Sequence, residues 1–463
     1  MINMSNNKLY TLNDVSKGKG EYGIGASAVP FAEDKYTYLR ITDINDDGSL
    51  NKKGLMSVDD KDAHKYVLCK NDIVFARTGN STGRSYFYDG TDGTLVYAGF
   101  LIKFSLDEEK VNPRILKYYT HSKPYYDWVK SFDTGGTRGN INAKTYGAMP
   151  ILLPSRNVQD RIVEILKSLD DKIEVNRRIN EQLEELAGAL FKSWVVDFEP
   201  FTDGEFVDSE LGMIPKGWKV SYIYEHMNVM YGAPYKSSLF NDKGDGLPLI
   251  RIRDLKTNAP QFYTPEILPN TEYVNIGDVV AGMDAEFVPY IWLGAQGVLN
   301  QRCCKFVAKD KKISNYYIIN TVKPKLEFVQ SYKTGTTVSH LGKSDIDRFR
   351  VVNPPLNIVA DFSEKVNPLL VRKIALAEEI HHLTTLRDTL LPKLMSGEID
   401  VNEVKIYRNK IINSLFERLD FETIENTRRC CISEEYPLHL SCNSKYDKIW
   451  QLNPILRKKK LLM

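Results

Sequence analysis

Three stretches of this chain have residue types and spacings that could do chemistry. Gly18-Lys19-Gly20-Glu21-Tyr22-Gly23 fits the G-x-G-x-x-G pattern that lets a backbone approach a dinucleotide pyrophosphate. That use needs a strand before it and a helix after it. Here a polar segment precedes, and Gly25 and Pro30 follow within Ile24–Pro30, so a flexible loop is the better reading. Gly335 with Gly342-Lys343-Ser344 resembles a phosphate loop. The gap between its glycines exceeds the four residues that wrap a phosphate chain, and Asp345 and Asp347 follow. Asn353-Pro354-Pro355 is the motif with which amino-methyltransferases grip an extruded base, but that motif needs an aromatic next, and Leu356 has no π-face to stack on the base. The seven histidines are scattered, and adjacent His381 and His382 point to different sides of a helix. The residues thus predict no catalytic site and no metal site.

The elements that would position a site are instead written twice. Ser131-Phe132-Asp133-Thr134-Gly135-Gly136-Thr137 returns as Ser331-Tyr332-Lys333-Thr334-Gly335-Thr336-Thr337. The same spacing carries Pro154 onto Pro354, and Leu39-Arg40-Ile41-Thr42-Asp43-Ile44 returns as Ile250-Arg251-Ile252-Arg253-Asp254-Leu255. Each copy reads as a mixed α/β domain followed by a long helix. In the first copy, strands are expected at Tyr36–Ile44, Asp72–Ala76, Ser85–Tyr88, Leu95–Phe104 and Ala148–Leu153, with a helix at Pro113–His121.

The period then changes. Ile162, Leu166, Leu169, Ile173, Asn176, Asn180, Leu183, Ala187, Leu190 and Trp194 follow a 4-3 spacing. This predicts a helix of roughly 36 residues, about 54 Å long, with an apolar seam. Phe362, Val366, Leu369, Lys373, Leu376, Ile380, Leu383, Arg387, Leu390 and Leu394 repeat the spacing. The two helices can therefore pair antiparallel about a pseudo-two-fold axis. Asn176 and Asn180 either fix register or mark a wet stretch of seam. Lys373 and Arg387 either meet acids or show that the seam lies one position over. Pro368 is expected to kink the second helix.

Composition sets bounds. With 463 residues there is room for two to four domains. At 42% hydrophobic and 26% charged the chain is an ordinary globular one. A net charge of only +2 means that any nucleic-acid surface must be local. No apolar run is long enough for a membrane span, and Met1–Tyr10 lacks the apolar core of a secretory signal. The six cysteines show no framework spacing, which predicts free thiols and a cytoplasmic location.

Several stretches, in order along the chain, resemble the specificity subunit of Type I restriction-modification systems. They are Leu169-Asp170-Asp171-Lys172-Ile173, Phe191-Lys192-Ser193-Trp194 with Asp197-Phe198-Glu199-Pro200-Phe201, Gly212-Met213-Ile214-Pro215-Lys216-Gly217-Trp218, and Leu386 to Ile399. The resemblance covers about 8–401; the family usually ends near there, so the tail departs from it. It implies an α+β protein with two α/β target recognition domains in pseudo-two-fold arrangement, joined by two long antiparallel coiled-coil helices. The expected domains are 1–155 (first recognition domain), 156–197 (central helix), 198–217 (exposed linker), 218–353 (second recognition domain), 354–401 (distal helix) and 402–463 (a partly disordered tail). The implied role is non-catalytic reading of a bipartite, asymmetric sequence in double-stranded DNA. Two methyltransferase subunits and the restriction/translocase subunits are the implied partners. They, and not this chain, would carry S-adenosylmethionine, ATP and Mg. A fused adenine methyltransferase and a coiled-coil scaffold without a DNA role are the alternatives.

Base-reading residues belong on polar loops repeated in both copies. In copy one the candidates are Arg77, Thr78, Asn80, Ser81 and Arg84, then Thr134, Thr137, Arg138 and Asn140. In copy two they are Asp284, then Lys333, Thr334, Thr336, Thr337, Ser339 and His340. Arginine suits guanine, asparagine suits adenine, and an acid can accept from cytosine. The difference between the loops predicts that the halves read different sequences. Arg40 and Arg251 could either touch DNA or pair with Asp43 and Asp254. For partner docking and the helix pair, the candidates are Ile162, Leu166, Leu169, Ile173, Asn176, Asn180, Leu183 and Leu190, with Leu369, Leu376, Ile380, Leu383 and Leu390 opposite.

Overall fold

The structure, a computed structural model, describes residues 7–52, 54–132, 139–333, 339–402 and 404. The predicted tail from 405 onward lies outside the described residues. Both copies have the same topology. In each, the first and last strands pair antiparallel: Lys8–Thr11 with Pro150–Leu153, and Lys219–Tyr222 with Arg350–Asn353. One four-stranded sheet runs Glu21–Tyr22, Leu101–Ser105, Asp72–Ala76, Ser85–Tyr88. Its counterpart runs Met227–Tyr231, Cys303–Ala308, Val279–Gly282, Pro289–Ile291. A second sheet in each copy is built on a parallel pair, Tyr36–Leu39 with Leu95–Tyr97 and Leu247–Ile250 with Gly297–Leu299. Ile73, Val74, Phe75 and Ala76 are all fully buried, as expected for a continuous apolar run between two layers.

Some elements differ from the sequence expectation. The strand expected at Tyr36–Ile44 stops at Leu39, because the Arg40 guanidinium and amide both donate to Asp43 and pull the chain into a 3-10 turn, Ile41–Asp43. Arg251 and Asp254 repeat the clamp, so both arginines are structural. Leu95–Phe104 is two strands in different sheets. At Gly99 the chain crosses between them, its amide donating to Ile24 O at 2.7 Å, where a Cβ would press on that carbonyl. The first helix ends at Tyr119, and the last strand of copy one begins at Pro150. The segment expected to be an exposed linker is folded: Phe206–Val207 pairs with Ile214–Pro215, and Trp218 packs on Phe198 and Phe201.

The long helices span Arg156–Phe191 and Leu356–Ser396, the second continuing through Pro368 and ending on left-handed Gly397. Their contacts run antiparallel. Asp170 meets Arg387, Lys172 meets Glu379, Glu184 meets Lys373, and Phe191 packs on Phe362. Ile162, Leu166, Leu169, Ile173, Asn176 and Asn180 are buried, as are Leu376, Leu383 and Leu390; Leu183, Leu190, Leu369 and Ile380 are half-buried. Lys373 and Arg387 therefore lie in the seam, and each has an acid. Helix ends are pinned to the domains. Gln159 accepts from Asn112 N and donates to Pro154 O, while Ala187, Phe191 and Val195 enter the core of the second domain.

Candidate nucleic-acid interface

Of the loops chosen from sequence, residues 77–84 and the segment around Asp284 each follow a main-sheet strand, Asp72–Ala76 and Val279–Gly282. The backbone circuit there is the same in both copies. Arg77 N donates to Phe100 O and Ile141 N donates to Arg77 O. Met283 N donates to Arg302 O and Leu341 N donates to Met283 O. Arg77 therefore corresponds to Met283, Phe100 to Arg302, and Asn140 to His340.

On this shared frame the side chains diverge. In copy one the Arg77 guanidinium sits 5.3 Å from the Tyr22 ring centroid and 5.8 Å from that of Phe100. A cation against two ring faces is a favourable electrostatic contact. The rings keep 44% and 55% of their surface exposed, although Phe100 is a large apolar residue in a turn. The Tyr22 hydroxyl is fixed by accepting from Ala143 N at 3.1 Å. Asn80 and Asn140 are exposed and Thr78 is half-buried. Ser81 is buried, and the Arg84 guanidinium is engaged by Asp46 at 2.6 Å and Ile44 O at 3.2 Å. Thr134, Thr137 and Arg138 lie outside the described residues.

In copy two Asp284 is held from both sides. One carboxylate oxygen accepts from Arg302 Nη1 at 2.7 Å, and the other lies 2.6 Å from His340 Nδ1. Asp284 keeps only 16% of its side-chain surface, whereas Arg302 and His340 each keep 56%. The acid faces inward and its two partners face out. Lys333 donates to His340 O and pairs with Asp345, and the Ser339 hydroxyl donates to Lys333 O. Thr334, Thr336 and Thr337 lie outside the described residues. Sequence reasoning missed Tyr22, Phe100 and Arg302; the signal available was Gly99, a glycine inside an apparent strand.

The three decoys have structural roles where they are described. Gly20 packs under Phe104 and Gly23 against the Tyr97 and Ala98 backbone. Gly342 precedes the short helix Lys343–Ile346, its amide bound by Asp345. Asn353 is buried, its amide donating to Ser221 and Tyr222 O. Among the described residues, no three His, Cys, Asp or Glu side chains gather as a metal site would require, and no helix is long and apolar enough to cross a membrane.

The family model for the Type I restriction modification DNA specificity domain matches residues 4–185 and again 215–376. This chain belongs to that specificity family. The two matches fall on the two copies, and together they take in most of the chain. The MjaIX specificity subunit of Methanocaldococcus jannaschii is 30% identical over 320 residues, covering 65% of this chain and 72% of that one. The HindI specificity subunit of Haemophilus influenzae is 23% identical, covering 86% of this chain and all of its own length. A crystal structure of a Type I S subunit from M. genitalium aligns with 85% of this chain and 98% of its own at 15% identity, with a TM-score of 0.43. As a specificity subunit, the chain serves DNA recognition and is not the catalyst.

Proposed function

We propose that each domain of this specificity subunit reads one half of an interrupted, asymmetric DNA sequence. The observation that carries this is one backbone circuit bearing different exposed side chains in the two copies: Phe100 and Asn140 in one, Arg302 and His340 in the other. Phosphate contacts position such a domain and base-edge contacts specify. The helix pair, arranged about a pseudo-two-fold axis as a coiled coil, sets the distance between halves. Two methyltransferase subunits dock on it, and restriction/translocase subunits join that core. S-adenosylmethionine, ATP and Mg belong to those partners, and the methyltransferase flips the target adenine out of the duplex. A methyltransferase within this chain is disfavoured, since Asn353 is buried and spends its amide on Ser221 and the Tyr222 carbonyl.

Long-read methylation mapping of the host with and without this chain tests the reading. Loss of a two-part, interrupted motif is expected. A methylome with no chain-dependent two-part motif would overturn it. The ruler has its own test. Ala187 is unsuitable for an insertion, because it is packed in the core of the second domain. A heptad placed between Arg178 and Ile179, matched by one between Glu378 and Glu379, lengthens both helices in phase by about 10 Å. The gap between half-sites should grow by about three base pairs at roughly 3.4 Å each. An unchanged gap would remove the helices from the ruler role.

A further inference from the structure

The turn that crosses between the two sheets is Ala98–Phe100 in copy one and Asn300–Arg302 in copy two. We infer that this turn is the specificity-determining element of each half, with Arg302 reading a guanine and Phe100 making an apolar contact to a thymine methyl group. The inference rests on the DNA-reading role proposed above and assigns it to particular residues.

Three observations carry it. First, the turn's backbone is fixed in both copies, through Arg77 N to Phe100 O and Met283 N to Arg302 O, so the side chain at this point projects from a rigid frame. Second, both side chains are more than half exposed, although one is a phenylalanine that packing alone would bury. Third, each is backed by a charged group that complements it, a cation against the ring and an anion against the guanidinium. Phe100 lies against the Arg77 guanidinium, and Arg302 is gripped by Asp284 through a single nitrogen. A guanidinium has five donors in a planar fork, so a grip at Nη1 orients the fork and leaves donors for the O6 and N7 acceptors of guanine. Asp284 is then a positioning residue and not itself the reader of a cytosine. An apolar ring cannot donate to a base edge, and the thymine methyl is the apolar feature of the major groove.

The test is methylation mapping in cells whose assembled complex carries the full-length variant chain. Arg302→Ala should make one guanine of the second half-site degenerate, with preference there falling roughly ten- to hundred-fold, and leave the first half-site unchanged. Arg302→Lys keeps the charge but loses the planar fork, so it should relax the same guanine. Asp284→Asn should relax it partially, because the anchor of the fork loses its charge. Phe100→Ala should relax one thymine position, in the first half-site only. If Arg302→Lys restores the full motif while Arg302→Ala weakens methylation evenly at all sites, Arg302 is a phosphate contact and the inference fails. An intact motif in both Arg302→Ala and Phe100→Ala also overturns it. Wild-type complex run alongside separates the two levels of argument: absence of any chain-dependent two-part motif there would count against the DNA-reading role itself.

Discussion

At one corner of the same fold, one copy sets an aromatic ring on an arginine and the other sets an arginine on an aspartate. The backbone hydrogen bonds beneath Phe100 and Arg302 are the same, so the frame does not choose the chemistry. A duplicated domain can in this way keep its topology while its exposed positions change from apolar to cationic. The same contrast recurs in the helix pair. Asp170 meets Lys117, Arg387 and the Tyr118 hydroxyl in a mostly buried cluster. By the repeat, the equivalent of Asp170 is Leu370 and that of Arg387 is Ala187, and those two share an apolar core. At these equivalent positions one end of the bundle is charged and the other is apolar.

That comparison can be broken by making the ends alike. Asp170→Leu removes the acid that Lys117 and Arg387 share, leaving Arg387 with only the exposed Asp388, and should cost up to about 3 kcal/mol of unfolding free energy by denaturant titration. Adding Arg387→Ala, which copies the Leu370–Ala187 end, should recover part of that loss, with Lys117 and the Tyr118 hydroxyl still lacking their acid. A double variant as unstable as the single one would show that the ends are not interchangeable.

Acid should sharpen the comparison next. Burial pushes His121 down to about 4, with Arg387 and Lys117 adding to the effect. A base whose folded value lies below its ordinary one is stabilising when neutral. Its contribution is complete above about pH 6.5 and is lost as pH falls toward 4. His226 in copy two is lowered by burial as well, so the two act together. Asp170 is lowered too: burial raises it, but Lys117 and Arg387 outweigh burial and hold it below the usual carboxylate value. Its contribution therefore persists to lower pH than that of the histidines. Stability measured from pH 7 to 4 should fall, and His121→Gln should flatten part of that fall. An unchanged slope would remove His121 as a contributor.

The smallest effect is expected in the seam. Asn176 is fully buried, and both polar atoms of its amide lack a partner among the described residues, whereas its repeat equivalent is Leu376. Asn176→Leu should raise stability by roughly 1–3 kcal/mol in thermal or denaturant unfolding. A loss of stability instead would mean that the amide fixes register, as a seam asparagine can.

The helices and the duplication were legible because their signals are local and periodic: a 4-3 spacing needs no knowledge of the partner. Positions of ion pairs in the seam were legible too, but not their partners, since Asp170 and Arg387 come from different copies. The interface was harder to read. Leu95–Phe104 looks like one strand because both halves of it are apolar, and only the hydrogen bond from Gly99 to Ile24 shows where the chain changes sheets. Arg84 carries no local sign of its pairing because Asp46 lies far along the chain, and Asp284 looked free because Arg302 and His340 lie 18 and 56 residues away. Exposure and long-range pairing are properties of the fold, and residue type alone does not carry them.

The most direct test of the two-reader account is an exchange of residues 218–353 for the matching domain of a relative with a different target, followed by long-read mapping of methylated motifs. The account predicts that one half-site changes to the relative's sequence while the other half-site and the gap stay as they were. A change in both half-sites would contradict it.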